Sequence, residues 1–136
     1  MLPFDMQTIP RIQPRPARRN ELSTHRIYVH VGWPTLGRLP LMPTDLRAVV
    51  EMQLITLCRR LDVEPLAVRA TSNRVMLLLR LKPNHTLVTL VSRLKSGSEE
   101  ALTDAGRGVH WGSGFAASTV GGEELQRVAR FISRLD

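Results

Sequence analysis

At 136 residues the chain has room for one domain, which can bury roughly two-thirds of its unfolded surface. All but two of its 19 cationic side chains are arginines, and the formal net charge is +7. That balance favours an anionic partner, nucleic acid ahead of membrane, although coding bias toward arginine gives a blander account of it. One cysteine, Cys58, excludes an intrachain disulfide and suits a reducing cytoplasm. No apolar run has the length of a membrane span, and the first residues do not read as a secretory signal.

Residues 1–24 differ in composition from the rest of the chain. Pro3, Pro10, Pro14 and Pro16 alternate with Arg11, Arg15, Arg18 and Arg19. This spacing predicts an extended or disordered basic arm, suited to tracking phosphates, or else a solvated tail. The domain proper is expected over 25–136.

From Arg26 to Trp33 apolar and polar residues alternate. Ile27, Val29, Val31 and Trp33 form one face of a first strand, Tyr28 and His30 the other. A loop with several prolines and glycines follows, and Thr44 is the expected cap of a helix running to Leu61. Leu46, Val49, Val50, Leu54, Leu57, Cys58 and Leu61 recur at helical spacing, which places the Cys58 thiol in the core rather than at a reactive site. Leu66 to Thr71 is the second expected strand, joined through Ser72-Asn73 to a third as a hairpin.

The third strand, Arg74 to Leu81, is the apolar centre of the chain. Val75, Leu77, Leu79 and Leu81 share one wholly apolar face; Arg74, Met76, Leu78 and Arg80 share the other, which is mixed. Leu87, Val88, Leu90, Val91 and Leu94 then predict a helix that Ser96-Gly97-Ser98 breaks or kinks, with further turns to Ala105. Arg107 to Gly114 reads as a connector, since it lacks the strand-then-helix context of a phosphate loop. His85 and His110 are isolated, better suited to solvated or capping roles than to ligation. Phe115 to Val120 is the last strand. A final helix opens after Gly121-Gly122, with an apolar stripe of Leu125, Val128, Phe131, Ile132 and Leu135 and a ridge of Arg127, Arg130 and Arg134. The order β-α-β-β-α-β-α agrees with an α+β ferredoxin-like sandwich: a four-stranded antiparallel sheet with two helices on one face and an additional C-terminal helix.

Several segments, in order, carry a resemblance. Ser72-Asn73-Arg74-Val75-Met76-Leu77-Leu78-Leu79 is similar to the "P-D-H-V-H-L-L-V" strand of the single-tyrosine HUH transposases, a family of bacterial insertion sequences that includes the REP-associated group. Tyr28 to Leu41 resembles its opening "Y-V-H-x-V-W-x-T-x-x-R-x-P-L". Val91 to Ser98 resembles "L-V-x-x-L-K-G-x-S", and Trp111 to Gly121 resembles "W-x-x-G-Y-x-x-x-S-V". Val128 to Leu135 is similar to the helix "Y-I-x-x-Q". The resemblance covers roughly residues 25 to 135.

In that family two histidines and the glutamine hold a divalent metal, and the tyrosine is the nucleophile. Here Arg74 and Met76 stand at the histidine positions, Phe131 at the tyrosine and Leu135 at the glutamine. A guanidinium cannot ligate a cation, a thioether suits copper better than magnesium or manganese, and neither Phe nor Leu offers an oxygen. The resemblance therefore implies an inactive relative with no cofactor. It would bind single-stranded or hairpin DNA as a homodimer in the cytoplasm, through Arg11, Arg15, Arg18, Arg19, Arg38, Arg93 and Lys95. An active transposase would need another nucleophile, and Tyr28, the sole tyrosine, is the candidate. A structural or regulatory dimer holding a protein partner is the third reading.

The pattern of replacement carries its own expectation. Met76, Phe131 and Leu135 are mutually compatible apolar groups, so the last helix is expected to close over the central strand, in cis or from a dimer mate.

Overall fold

A computed structural model describes residues 27–136 of the chain. The basic arm, with Arg11, Arg15, Arg18 and Arg19, lies outside the described residues. Four strands form one antiparallel sheet: β1 (Ile27–Pro34), β2 (Glu64–Ala70), β3 (Arg74–Leu81) and β4 (Ala116–Val120), in the spatial order β2-β3-β1-β4. Helices α1 (Thr44–Arg60) and α2 (Leu87–Asp104) are the crossovers, and α3 (Leu125–Ser133) comes after the last strand. This is the ferredoxin-like sandwich with one helix added.

The period-two pattern of the strands decides the layers. Val29, Val31, Trp33, Val75, Leu77 and Leu79 point to one side and pack with Leu46, Val50, Leu54 and Cys58 of α1 and Leu90, Val91 and Leu94 of α2. This is the larger core. Burial pushes the Cys58 thiol up to about 12, so it stays protonated in that core. On the opposite side, Met76, Leu78 and Val120 meet Val128 and Ile132 of α3.

Three local expectations change. Thr44 is the first helical residue of α1, not its cap; Pro43 holds the cap position, where a residue with its φ fixed near −65° and no N–H is tolerated. The Ser96-Gly97-Ser98 stretch does not interrupt α2. Its two hydroxyls donate back to the carbonyls of Ser92 and Leu94, so they make no competing turn. Gly97 lies against Leu57 of α1, and a Cβ there would come within 3.1 Å of that side chain, so the glycine allows close helix approach. Finally, β2 starts at Glu64, and a register irregularity between Pro65 and Ala67 absorbs the proline.

The connector before β4 is pinned. Trp111 donates its indole N–H to Ser98 Oγ at 2.9 Å and its backbone N–H to Glu99 at 2.7 Å. Its ring stands edge-on to Trp33 with centroids 6.0 Å apart. Lys95 ties the same loop by donating to the carbonyls of Gly112 and Gly114. His85 closes the turn after β3: its Nδ1 accepts from the Lys82 N–H at 2.9 Å.

Candidate functional site

The mixed face of β3 and its neighbours make the site. Register places the side chains in rows across the sheet. Leu78 lies beside His30 and His30 beside Ser118; Met76 lies beside Gly32 and Gly32 beside Ala116; Arg74 lies beside Pro34. Helix α3 covers the first row. Ile132 and Val128 are buried there, and the Phe131 ring stands edge-on to the His30 ring at 6.2 Å and 71°.

His30 is fully buried. Loss of water, reinforced by the positive charge of Arg74, lowers its pKa from 6.5 to about 4, so the imidazole is neutral at physiological pH. The alternation of β1 reads this residue as packed or hydrogen-bonded rather than catalytic, and it lies buried beneath α3.

Met76 fills the second row. Its sulfur lies over Gly32 so closely that a Cβ on that glycine would come within 2.3 Å of it. Beyond α3 the sheet opens into a cavity of about 110 Å³, whose lining includes Gly32, Arg38, Arg74, Met76 and Ala116. Arg38 reaches the cavity from the 3-10 turn Leu36–Arg38. Thr35, fully buried, sets the turn against the β2–β3 hairpin: its N–H donates to Asn73 O at 2.8 Å, and its hydroxyl lies within hydrogen-bond reach of the carbonyls of Leu39 and Asn73. One buried threonine therefore brings two arginines distant in sequence to the same mouth.

The other residues expected at an interface are elsewhere. Lys95 is tied to the connector carbonyls, with burial lowering its pKa. Arg93 is exposed and lines a separate depression with Asn84 and His85. Tyr28 shares the cavity's face of β1 but lies four residues from Gly32, roughly 13 Å along a strand, and packs at the edge of the α3 cluster.

The donor set at this place does not fit a divalent metal. Arg74 brings a permanent positive charge and Met76 a soft sulfur already packed on Gly32. Leu135 is half-buried among apolar neighbours. Among the described residues no three His, Cys, Asp or Glu side chains cluster as a metal site would require. One polar contact was invisible in the sequence. Arg69 of β2 donates its Nε–H to Leu135 O at 2.7 Å and so fastens the end of α3 to the sheet.

The sequence model for IS200-like transposases matches residues 23–134. The chain belongs to the IS200-like transposase family. The solved structures it resembles include that of a proposed transposase from Deinococcus radiodurans R1, with a TM-score of 0.67 at 19% identity over 89% of this chain and 95% of the other. A second is a REP-associated tyrosine transposase bound to a REP hairpin, with a TM-score of 0.57 at 12% identity, covering 78% of this chain and 63% of the other. At such identities these two likenesses establish the fold alone. No curated protein matches the chain. Among the described residues no helix is long and apolar enough to cross a membrane.

Proposed function

We propose that this member of the family binds single-stranded or hairpin nucleic acid without cutting it. The observation that carries the reading is the chemistry at the four family positions. Arg74 and Met76 face the mixed side of β3. Phe131 lies on His30, and Leu135 lies in the apolar cluster under α3. None of these four side chains can attack phosphorus in the way a tyrosine does, nor hold a divalent cation as two histidines and a glutamine do. The covering helix stays compatible with the replacement because apolar side chains fill the face beneath it.

Binding is an electrostatic matter first. A net charge of +7 draws a polyanion, and each neutralised phosphate releases counterions. Arg38, Arg93 and the arginines of the N-terminal arm are the contacts we assign. Lys95 joins them only where its loop carbonyls leave a proton free. A structural neighbour bound to a REP hairpin supports a hairpin as the ligand.

Incubating the protein with labelled hairpin, single-stranded and duplex DNA at two salt concentrations tests the reading. Binding that weakens steeply with salt, with no strand cleavage and no covalent adduct in the presence of Mg²⁺ or Mn²⁺, is expected. An adduct abolished by Tyr28→Phe would instead establish an active transposase. Absent or salt-insensitive binding would favour the protein-holding reading.

The same proposal includes a homodimer acting in the cytoplasm. Leu36 and Val88 are both more than half exposed and line one surface groove, a face a second copy can cover. Sedimentation at two protein concentrations tests it.

A further inference from the structure

The disagreement between the family's metal site and these residues has a positive content. We propose that the Arg38–Arg74 cavity is a metal-free seat for one phosphate group of a nucleic-acid backbone, with the guanidinium of Arg74 supplying the positive charge that a divalent cation supplies in metal-dependent relatives. This rests on the nucleic-acid reading above and names the atoms that would meet the polymer.

Four observations carry it. First, the cavity's size, about 110 Å³, is several times what a water requires, yet small beside the roughly 300 Å³ and more of a pocket for a drug-sized molecule. It suits a compact anion. Second, its lining includes two arginines, Arg38 and Arg74, and no acidic residue. Among the described residues neither Arg38 nor Arg74 is in an ion pair, whereas Arg80, Arg107 and Arg127 each have a carboxylate partner. Paired arginines serve structure; two unpaired arginines converging on one concavity serve a ligand, and planar forked donors match phosphate oxygens.

Third, Arg38 is held at φ +56°, a left-handed conformation uncommon for a residue with a side chain. Gly37 before it has φ +62°, and the buried Thr35 anchors the turn to the residue preceding Arg74. The backbone is thus committed to a conformation that places Arg38 at this mouth. Fourth, the floor is apolar. Met76 and Gly32 bring no charged side chain to repel an anion, and the concavity they floor with Ala116 lets both arginines approach one bound group.

The experiment compares the full-length protein with Arg74→Met and Arg38→Gln. Fluorescence anisotropy measures a labelled hairpin with a single-stranded extension, and the same DNA carrying one uncharged methylphosphonate at each successive extension position. The proposal expects about tenfold weaker binding in either variant, and a salt dependence shallower by about 0.7 for a lost single-strand contact. It also expects one methylphosphonate position that weakens wild-type binding but leaves Arg74→Met indifferent. Addition of EDTA is expected to change nothing. A parallel arm follows thermal unfolding in inorganic phosphate.

If wild type binds the hairpin but both variants bind equally well with the same methylphosphonate profile, the seat is refuted and the nucleic-acid reading stands. If wild type binds no DNA, that reading falls. Stabilisation by inorganic phosphate that disappears in Arg74→Met would then still support an anion seat, with free phosphate as its source. Stabilisation in neither case refutes the seat as well. Arg38 is exposed and makes no side-chain hydrogen bond among the described residues, so Arg38→Gln carries the comparison even if Arg74→Met fails to fold.

Discussion

The two faces of the sheet are built from the same strands and covered differently. One is met by α1 and α2, long helices whose stripes interlock with every strand. Among the described residues the other is met by α3, nine residues whose Val128 and Ile132 pack with Met76, Leu78 and Val120. The first face is core from end to end. The second is core under the helix and an arginine-rimmed cavity past it. The difference separates two kinds of work: the larger core lies on the face met by α1 and α2, while the motif positions Arg74 and Met76 lie on the other.

Breaking the larger face should cost most. Leu77→Ala removes a fully buried side chain between β3 and the two crossover helices, where the surroundings cannot collapse. A loss of about 4 kcal/mol in urea unfolding is expected, with the whole domain unfolding as one.

Acid separates the faces next. His30 has a folded pKa of about 4 against 6.5 for the free side chain, so between those values the unfolded chain binds more protons. Stability is therefore full above about pH 6.5 and falls as pH drops toward 4, by up to roughly 3 kcal/mol. His30→Leu should flatten that slope, which denaturant titrations at pH 7 and pH 4.5 would reveal.

On the smaller face, Ile132→Ala removes a fully buried contact on Met76 and Leu78. About 2 kcal/mol is expected, less than for Leu77→Ala because a single short helix can settle onto the gap. Amide exchange should then show α3 opening locally while β3 stays protected. If Ile132→Ala lowers the protection of both equally, the two faces are not independent and the comparison fails.

The smallest effect belongs to Arg69→Met, which deletes the hydrogen bond to Leu135 O. A cost of about 1 kcal/mol and faster exchange confined to the last turn of α3 are expected.

Much of the fold is legible residue by residue. The alternation of Val75, Leu77 and Leu79 against Arg74, Met76 and Leu78 fixes a strand with two unlike faces. The stripe through Leu46, Val50, Leu54 and Cys58 fixes a helix against one of them. The break or kink expected at Ser96-Gly97-Ser98 does not form, because Gly97 packs against Leu57 and the serine hydroxyls donate to carbonyls one turn back within the helix.

At the site, Arg74, Met76, Phe131 and Leu135 stand out by their place in motifs, and two of the contacts prove to be with other residues. Val128 and Ile132 lie over Met76 and Leu78, while Phe131 is 36% exposed at the rim and meets His30. Helix α3 closes in cis in the described chain, fastened by Arg69, a contact between residues far apart in sequence whose partner is a backbone carbonyl and so leaves no mark in composition.

By itself, then, the sequence determined the element order, the polarity of each face and which side chains, Arg74, Met76, Phe131 and Leu135, stand at the motif positions, because side-chain identity and periodicity are local properties. Only the tertiary structure decided which stripe lies over which row, and that Arg38 and Arg74 share a mouth. Those outcomes depend on chain closure, through the buried Thr35 and its bond to Asn73, and no local pattern encodes where two distant segments meet.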